Sequence, residues 1–162
     1  MPEDGHRYEL IDGVLLVSPG PGLPHQDMVG NLYLLLRAGV PAHLKVVLAP
    51  FDVVLANDTV IQPDLLVAPR SQFTGKELPG APLLAVEVLS PNTRRIDLLL
   101  KRDRLQSAAA PSYWVIDPVE VAVTVLELQG EVYREIAHVV ASQSCEVLLP
   151  YPMTIVPDQL LD

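Results

Sequence analysis

Cys145 is the chain's one cysteine. A lone cysteine excludes an internal disulfide and fits a reducing compartment. No Cys or His cluster accompanies it, so its plain reading is a small packed hydrophobe. No run approaches the ~18 apolar residues that would span a bilayer. The start, Met-Pro-Glu-Asp-Gly, lacks the basic residues and apolar stretch of a secretory signal. A soluble cytoplasmic protein is the expectation. Gly20, Gly22, Gly30 and Gly39 do not form a phosphate-cradling pattern. Zinc-ligand spacing and the Gly-x-Ser-x-Gly elbow are also missing. There is no repeat, no low-complexity tract and no linker long enough to divide the chain. Positive charge is scarce as well: the formal net charge is -9. That argues against a nonspecific nucleic-acid coat, which needs clustered cations.

What the chain does have is apolar content, 49% of its 162 residues. This is the size of one ordinary domain, 1–162, with a sizeable core. Its cations are unevenly placed: Arg94, Arg95, Lys101, Arg102 and Arg104 make up five of its eleven basic residues. One reading is a solvated helix with ion pairs to Asp97 and Asp103. The other is a local phosphate contact on an otherwise acidic body.

Tyr8 to Val17 reads as a β-hairpin turning at Asp12-Gly13. After a Pro/Gly loop, a helix fits from His25 to Ala38, with Met28, Val29, Leu32, Leu35 and Leu36 on one face. Gly39 and Pro41 end it. Short strands follow at Lys45 to Leu48, Phe51 to Leu55 and Leu65 to Val67, and Pro69 to Pro82 reads as a loop. Leu83 to Leu89 is apolar except for Glu87, as in a central strand covered on both faces. Ser90-Pro91-Asn92-Thr93 caps a helix from about Arg94 to Ala109. Tyr113 to Asp117 is a strand, then Val121 to Leu128 and Glu131 to Val139 form a hairpin around Gln129-Gly130. Tyr113 and Trp114 are core residues of that sheet. The tail from Cys145 is broken by prolines, with a last strand and a helical turn. The order predicts an α/β (α+β) fold, a mixed β-sheet flanked by helices behind an N-terminal β-hairpin.

Two carboxylates sit in apolar, strand-like runs: Asp64 in Gln62-Pro63-Asp64-Leu65-Leu66-Val67, and Glu87 in Leu83 to Leu89. Burying a carboxylate there is costly unless cations or hydrogen bonds compensate. If the two strands are neighbours, both carboxylates can meet at one Mg²⁺ ion, which takes a few carboxylate oxygens and keeps several waters. One such water can attack a phosphodiester. On the next helix Lys101 shares a stripe with Leu98, Leu105 and Ala108, so its ammonium points toward the sheet. There it could stabilise the attacking water or the developing charge. Snorkelling, or pairing with Asp97, is the plainer reading.

Pro63-Asp64, Glu87 and Lys101 resemble the PD-(D/E)XK nuclease superfamily. More closely, the chain resembles the Uma-type family of restriction-endonuclease-like proteins. The shared phrases are YELIDGVLLVSP (Tyr8 to Pro19), His25 opening a helix, QPDLLV (Gln62 to Val67), VEVLSPNTRRIDLLLKR (Val86 to Arg102) and PSYWVIDP (Pro111 to Pro118). The resemblance implies a restriction-endonuclease-like core sheet with Asp64, Glu87 and the Val88 carbonyl as ligands of Mg (or Mn). It implies Lys101 as the catalytic lysine, moved to the helix because the superfamily's usual position, two residues after the glutamate, holds Leu89. Glu9 and His25 also match family positions. Glu9 would extend the acidic site or be an exposed strand residue. His25 would support the site or contact phosphate, or be a hydrogen-bonded structural histidine. Arg94, Arg95, Arg102 and Arg104 are candidate DNA contacts. The implied activity is metal-dependent hydrolysis of DNA, with a homodimer suited to cutting both strands. A non-catalytic scaffold on a nuclease fold is the competing reading, and a small-molecule hydrolase is a third.

Overall fold

The computed structural model of the chain describes residues 5–91 and 93–161. The N-terminal Met-Pro-Glu-Asp and the Asn92 of the helix cap lie outside the described residues. Strands β1 (Arg7–Ile11) and β2 (Val14–Ser18) form the hairpin. Asp12 and Gly13 at its turn have φ of 53° and 76°, the positive pair that a two-residue turn of matching twist requires. Helix α1 (Leu23–Gly39) starts with Pro24 in its first turn, where a missing N–H costs nothing. It buries His25, Met28, Val29, Leu32 and Leu36 along one stripe.

Strands β3 (Leu44–Leu48), β4 (Asp52–Ala56), β5 (Thr59–Ile61) and β6 (Leu65–Pro69) follow. The segment read as a loop from Pro69 to Pro82 contains a 3-10 turn, Arg70–Gln72, and strand β7 (Glu77–Pro79). Three residues that end in Pro79 before Gly80 carry too little periodicity to announce a strand; β7 exists because β4 offers it a parallel partner. Next comes β8 (Leu84–Val88), buried throughout. The helix after it is not uniform. A π-helical segment, Ile96–Lys101, runs into α2 (Arg102–Ser107). Strands β9 (Ser112–Asp117), β10 (Ala122–Gln129) and β11 (Val132–Val140) build the far side. The tail holds a small hairpin, β12 (Cys145–Val147) with β13 (Met153–Ile155), and a 3-10 turn, Pro157–Leu160.

The fold is mixed α+β, but its strands divide between two main sheets rather than lying in one. A six-stranded sheet has the order β11-β10-β9-β8-β6-β3, and a five-stranded sheet the order β2-β1-β5-β4-β7. In the larger sheet β8 and β9 are parallel, joined by the π/α2 helix, and the other neighbours are antiparallel. Alternation along the strands sends Leu65, Val67, Leu84, Val86 and Val88 toward α1 and the tail hairpin. Leu66, Ala68, Ala85 and Leu89 face the other way, toward Leu105 of α2 and Ile11, Val53 and Ile61 of the smaller sheet. Tyr113 and Trp114 are fully buried, one on each side.

Candidate active site

Register brings the two sequence-selected carboxylates together. β6 and β8 pair Leu65 with Val86 and Leu66 with Ala85. Continued one residue, the register sets Asp64 across from Glu87, and residues opposite one another point to the same side of a sheet. That side is the one covered by β1 of the smaller sheet and by the π/α2 helix, so these elements and the start of α1 meet where β6 begins and β8 ends.

Asp64 is 2% exposed and its oxygens are engaged. Arg7 Nη2 on β1 donates to Oδ1 at 2.6 Å. Oδ2 accepts the Val88 backbone N–H at 2.8 Å and lies 3.0 Å from His25 Nε2. Burial alone would raise this carboxyl's pKa; the His25 hydrogen bond, the Arg7 and His25 charges and the Val88 N–H hold it well below the usual range. His25 belongs to the first turn of α1, and its Nδ1 has no partner.

Lys101 lies at the centre of the other half. Its Nζ is 3.0 Å from Glu87 Oε1, 3.0 Å from Glu9 Oε1 and 3.2 Å from Asp97 Oδ1. Glu9 Oε1 also accepts the Gln62 N–H at 2.6 Å, and Thr93 Oγ1 donates to Asp97 Oδ2 at 2.6 Å. The two sequence readings of Lys101, pairing with Asp97 and reaching the sheet carboxylates, therefore describe one geometry. Burial pushes the lysine pKa down, but its three carboxylate neighbours outweigh it and hold the ammonium charged. Glu87 is pushed well above its usual value, first by burial and then by Asp97, Asp64 and Glu9, against the pull of Lys101. Asp97 is raised for the same leading reason.

Burial and the balance of partners together set these opposite directions. Glu9, Asp64, Glu87 and Asp97 are all buried, against the full charges of Lys101 and Arg7 and the His25 ring beside Asp64. Carboxylates outnumber full cations in the cluster four to two. This donor set fits a divalent cation, because hard carboxylate oxygens in excess of the protein's own cations are what Mg²⁺ takes. Among the described residues no group of three or more His, Cys, Asp or Glu is arranged to hold a metal ion. Mg²⁺ needs fewer protein ligands than that, since it keeps several waters. The Val88 N–H reaches Asp64, and the carbonyl of the same strand residue points to the same edge.

The cluster opens to solvent through two adjoining clefts of about 350 and 130 Å³. Arg7, His25 and Asp64 line both, and Glu87, Val88 and Ser90 line the smaller. The basic run does not reach them. Arg94 Nη1 donates to Asp117 Oδ2 at 2.7 Å, and Arg104 lies against Asp12 and Asp103. Arg95 and Arg102 line neither cleft. Sequence reasoning passed over Arg7, whose one signal is its i, i+2 position before Glu9 on one strand face. It treated Asp97 only as a partner of Lys101.

The family Uma2, described as "Putative restriction endonuclease", matches residues 1–155. The chain belongs to the Uma2 family. No match was found among curated proteins. Among solved structures, one described as a "putative nuclease belonging to DUF820" from Anabaena variabilis ATCC 29413 is similar in fold. Its TM-score is 0.75 at 20% identity, covering 99% of this chain and 92% of that one. The Uma2 fold is thus nuclease-like. No helix among the described residues is long and apolar enough to cross a membrane.

Proposed function

We propose that this Uma2 protein is a divalent-cation-dependent endonuclease that hydrolyses phosphodiesters of DNA, acting as a homodimer in the cytoplasm. The observation that carries the reading is Asp64 and Glu87 side by side in the wall of an open cleft, within a buried cluster where carboxylates outnumber cations. Asp64, Glu87 and the Val88 carbonyl would hold Mg²⁺ or Mn²⁺. A bound cation of this kind supplies Lewis acidity toward phosphate and water. The protein's own residues do the positioning. His25 and the Val88 N–H orient Asp64, while Gln62 N–H and Lys101 orient Glu9. Lys101 fixes Glu87 and contributes its charge to the site rather than a free donor, because three carboxylates surround its amine. A fixed positive charge in a water-poor site stabilises negative charge developing nearby. The exposed apolar edge strand β2 supports self-association.

Plasmid cleavage in Mg²⁺ or Mn²⁺ tests the reading. Asp64→Ala, Glu87→Ala and Lys101→Ala should each lower the rate by at least ~100-fold with the fold retained by circular dichroism. The triple variant should be little worse than the singles, since the groups act as one unit. A second reading, a non-catalytic scaffold, draws on the net charge of -9, which repels a polyanion. It predicts no cleavage by the wild type under any divalent cation. Cleavage that survives loss of Asp64 would exclude this site as the catalyst.

A further inference from the structure

Asp64 is reached by a full positive charge from the protein itself. Arg7 Nη2 lies 2.6 Å from Asp64 Oδ1. The other oxygen, Oδ2, already has two partners, His25 and the Val88 N–H. An incoming cation therefore approaches Asp64 through the oxygen that Arg7 holds. Two positive charges on one oxygen repel, so the two compete. Arg7 differs from Lys101 in its surroundings. Lys101 is fully enclosed, whereas the Arg7 side chain keeps 19% exposure at the mouth of the site. It is also the one arginine or lysine lining either cleft among the described residues. The candidate phosphate contacts on the helix, Arg94 and Arg104, are held by carboxylates elsewhere.

We propose that Arg7 is an exchangeable counter-ion: it neutralises Asp64 in the metal-free protein, is displaced by the divalent cation, and then binds a phosphate oxygen of the substrate in the cleft. The guanidinium suits both positions, because its planar fork matches carboxylate and phosphate alike. The exchange also addresses the acidic body of the protein. Cation binding would free a positive charge for the polyanion at the cleft where cleavage takes place, so substrate binding and metal binding become coupled. The inference rests on reading Asp64 as a cation ligand, and the test separates the two.

The guanidinium Nε–H signal of Arg7 in the wild-type protein, identified by its loss in Arg7→Lys, is followed by NMR while Mg²⁺ binding is measured by calorimetry. Displacement predicts that the signal moves as Mg²⁺ saturates. It predicts a further shift with dimethyl phosphate that occurs only in the Mg²⁺-loaded protein. Arg7→Gln should bind Mn²⁺ about tenfold more tightly than wild type, since a competing cation is gone. Saturation by Mg²⁺ with an unmoved Arg7 signal overturns the exchange while leaving the metal site standing. So does Mn²⁺ affinity that is unchanged or weaker in a folded Arg7→Gln. A dimethyl phosphate shift that is absent, or equal with and without Mg²⁺, overturns the phosphate step. Absence of divalent binding to wild type at millimolar concentration overturns both the exchange and the metal reading. If Arg7→Gln fails to fold, the wild-type NMR titration alone decides.

Discussion

Lys101 has left solvent for three carboxylates, and that choice shapes every residue near it. A buried ammonium is costly unless paired. Here the pairing goes beyond balance, because four buried carboxylates share two cations. The surplus falls on Glu87, whose pKa is raised above its ordinary 4.5 chiefly by burial. The sign of the stability effect follows. Above pH ~4.5 an unfolded chain ionises this glutamate while the folded protein keeps its proton, so stability falls as pH rises toward the folded pKa. Glu87→Gln removes that loss. In EDTA the variant should be more stable than wild type at pH 7.5 by about 1–2 kcal/mol, with the difference shrinking toward pH 5. Urea denaturation at the two pH values checks this, and a difference that grows toward acid pH contradicts it. At this scale the sequence was legible where cost made it so. Carboxylates stand out in the apolar runs of Asp64 and Glu87, and Lys101 stands out on an apolar helix stripe. Arg7 was not legible, because its partner lies 57 residues away and nothing local announces the pairing. The pairings of the helix arginines were hidden for the same reason: Arg94 reaches Asp117 on β9, and Arg104 reaches Asp12 in the first hairpin.

At the scale of elements, the main helices, the two long hairpins and the central strand could be read from periodicity and turn chemistry. Three features could not. The π-helical turn Ile96–Lys101 has the same apolar spacing as an α-helix until its hydrogen bonds are seen. It carries both Asp97 and Lys101 to the buried side. β7 depends on a parallel partner, and the division into two sheets depends on which edges meet. Edge strand β2 has a consequence of its own. Val14, Leu15 and Val17 are exposed, and no charge or proline interrupts Val14 to Val17. Such an edge is open to pairing with another copy, and lysine on an edge is a usual block. The wild type should therefore sediment as a dimer and Leu15→Lys as a monomer in analytical ultracentrifugation. The thermal midpoint of the monomer should stay close to that of wild type at low concentration, since the position is 54% exposed. A wild type that stays monomeric at high concentration contradicts the dimer.

For the molecule as a whole, two sheets and one discontinuous helix bring Arg7, Glu9, Asp64, Glu87 and Lys101 from four separate stretches of chain to one end of β8. The acidity of the surface and that of the site act differently. Surface charge, part of the net -9, repels a polyanion over a range that salt shortens. The buried excess is scarcely screened and favours a divalent ion. Metal therefore comes first and nucleic acid second. Anomalous diffraction from crystals soaked in Mn²⁺ tests that order. It predicts one strong peak at ~2–2.6 Å from carboxylate oxygens of Asp64 and Glu87 and from the Val88 carbonyl, with Arg7 moved off Asp64. A peak at another place, or no peak at saturating Mn²⁺ with Arg7 still on Asp64, would contradict it.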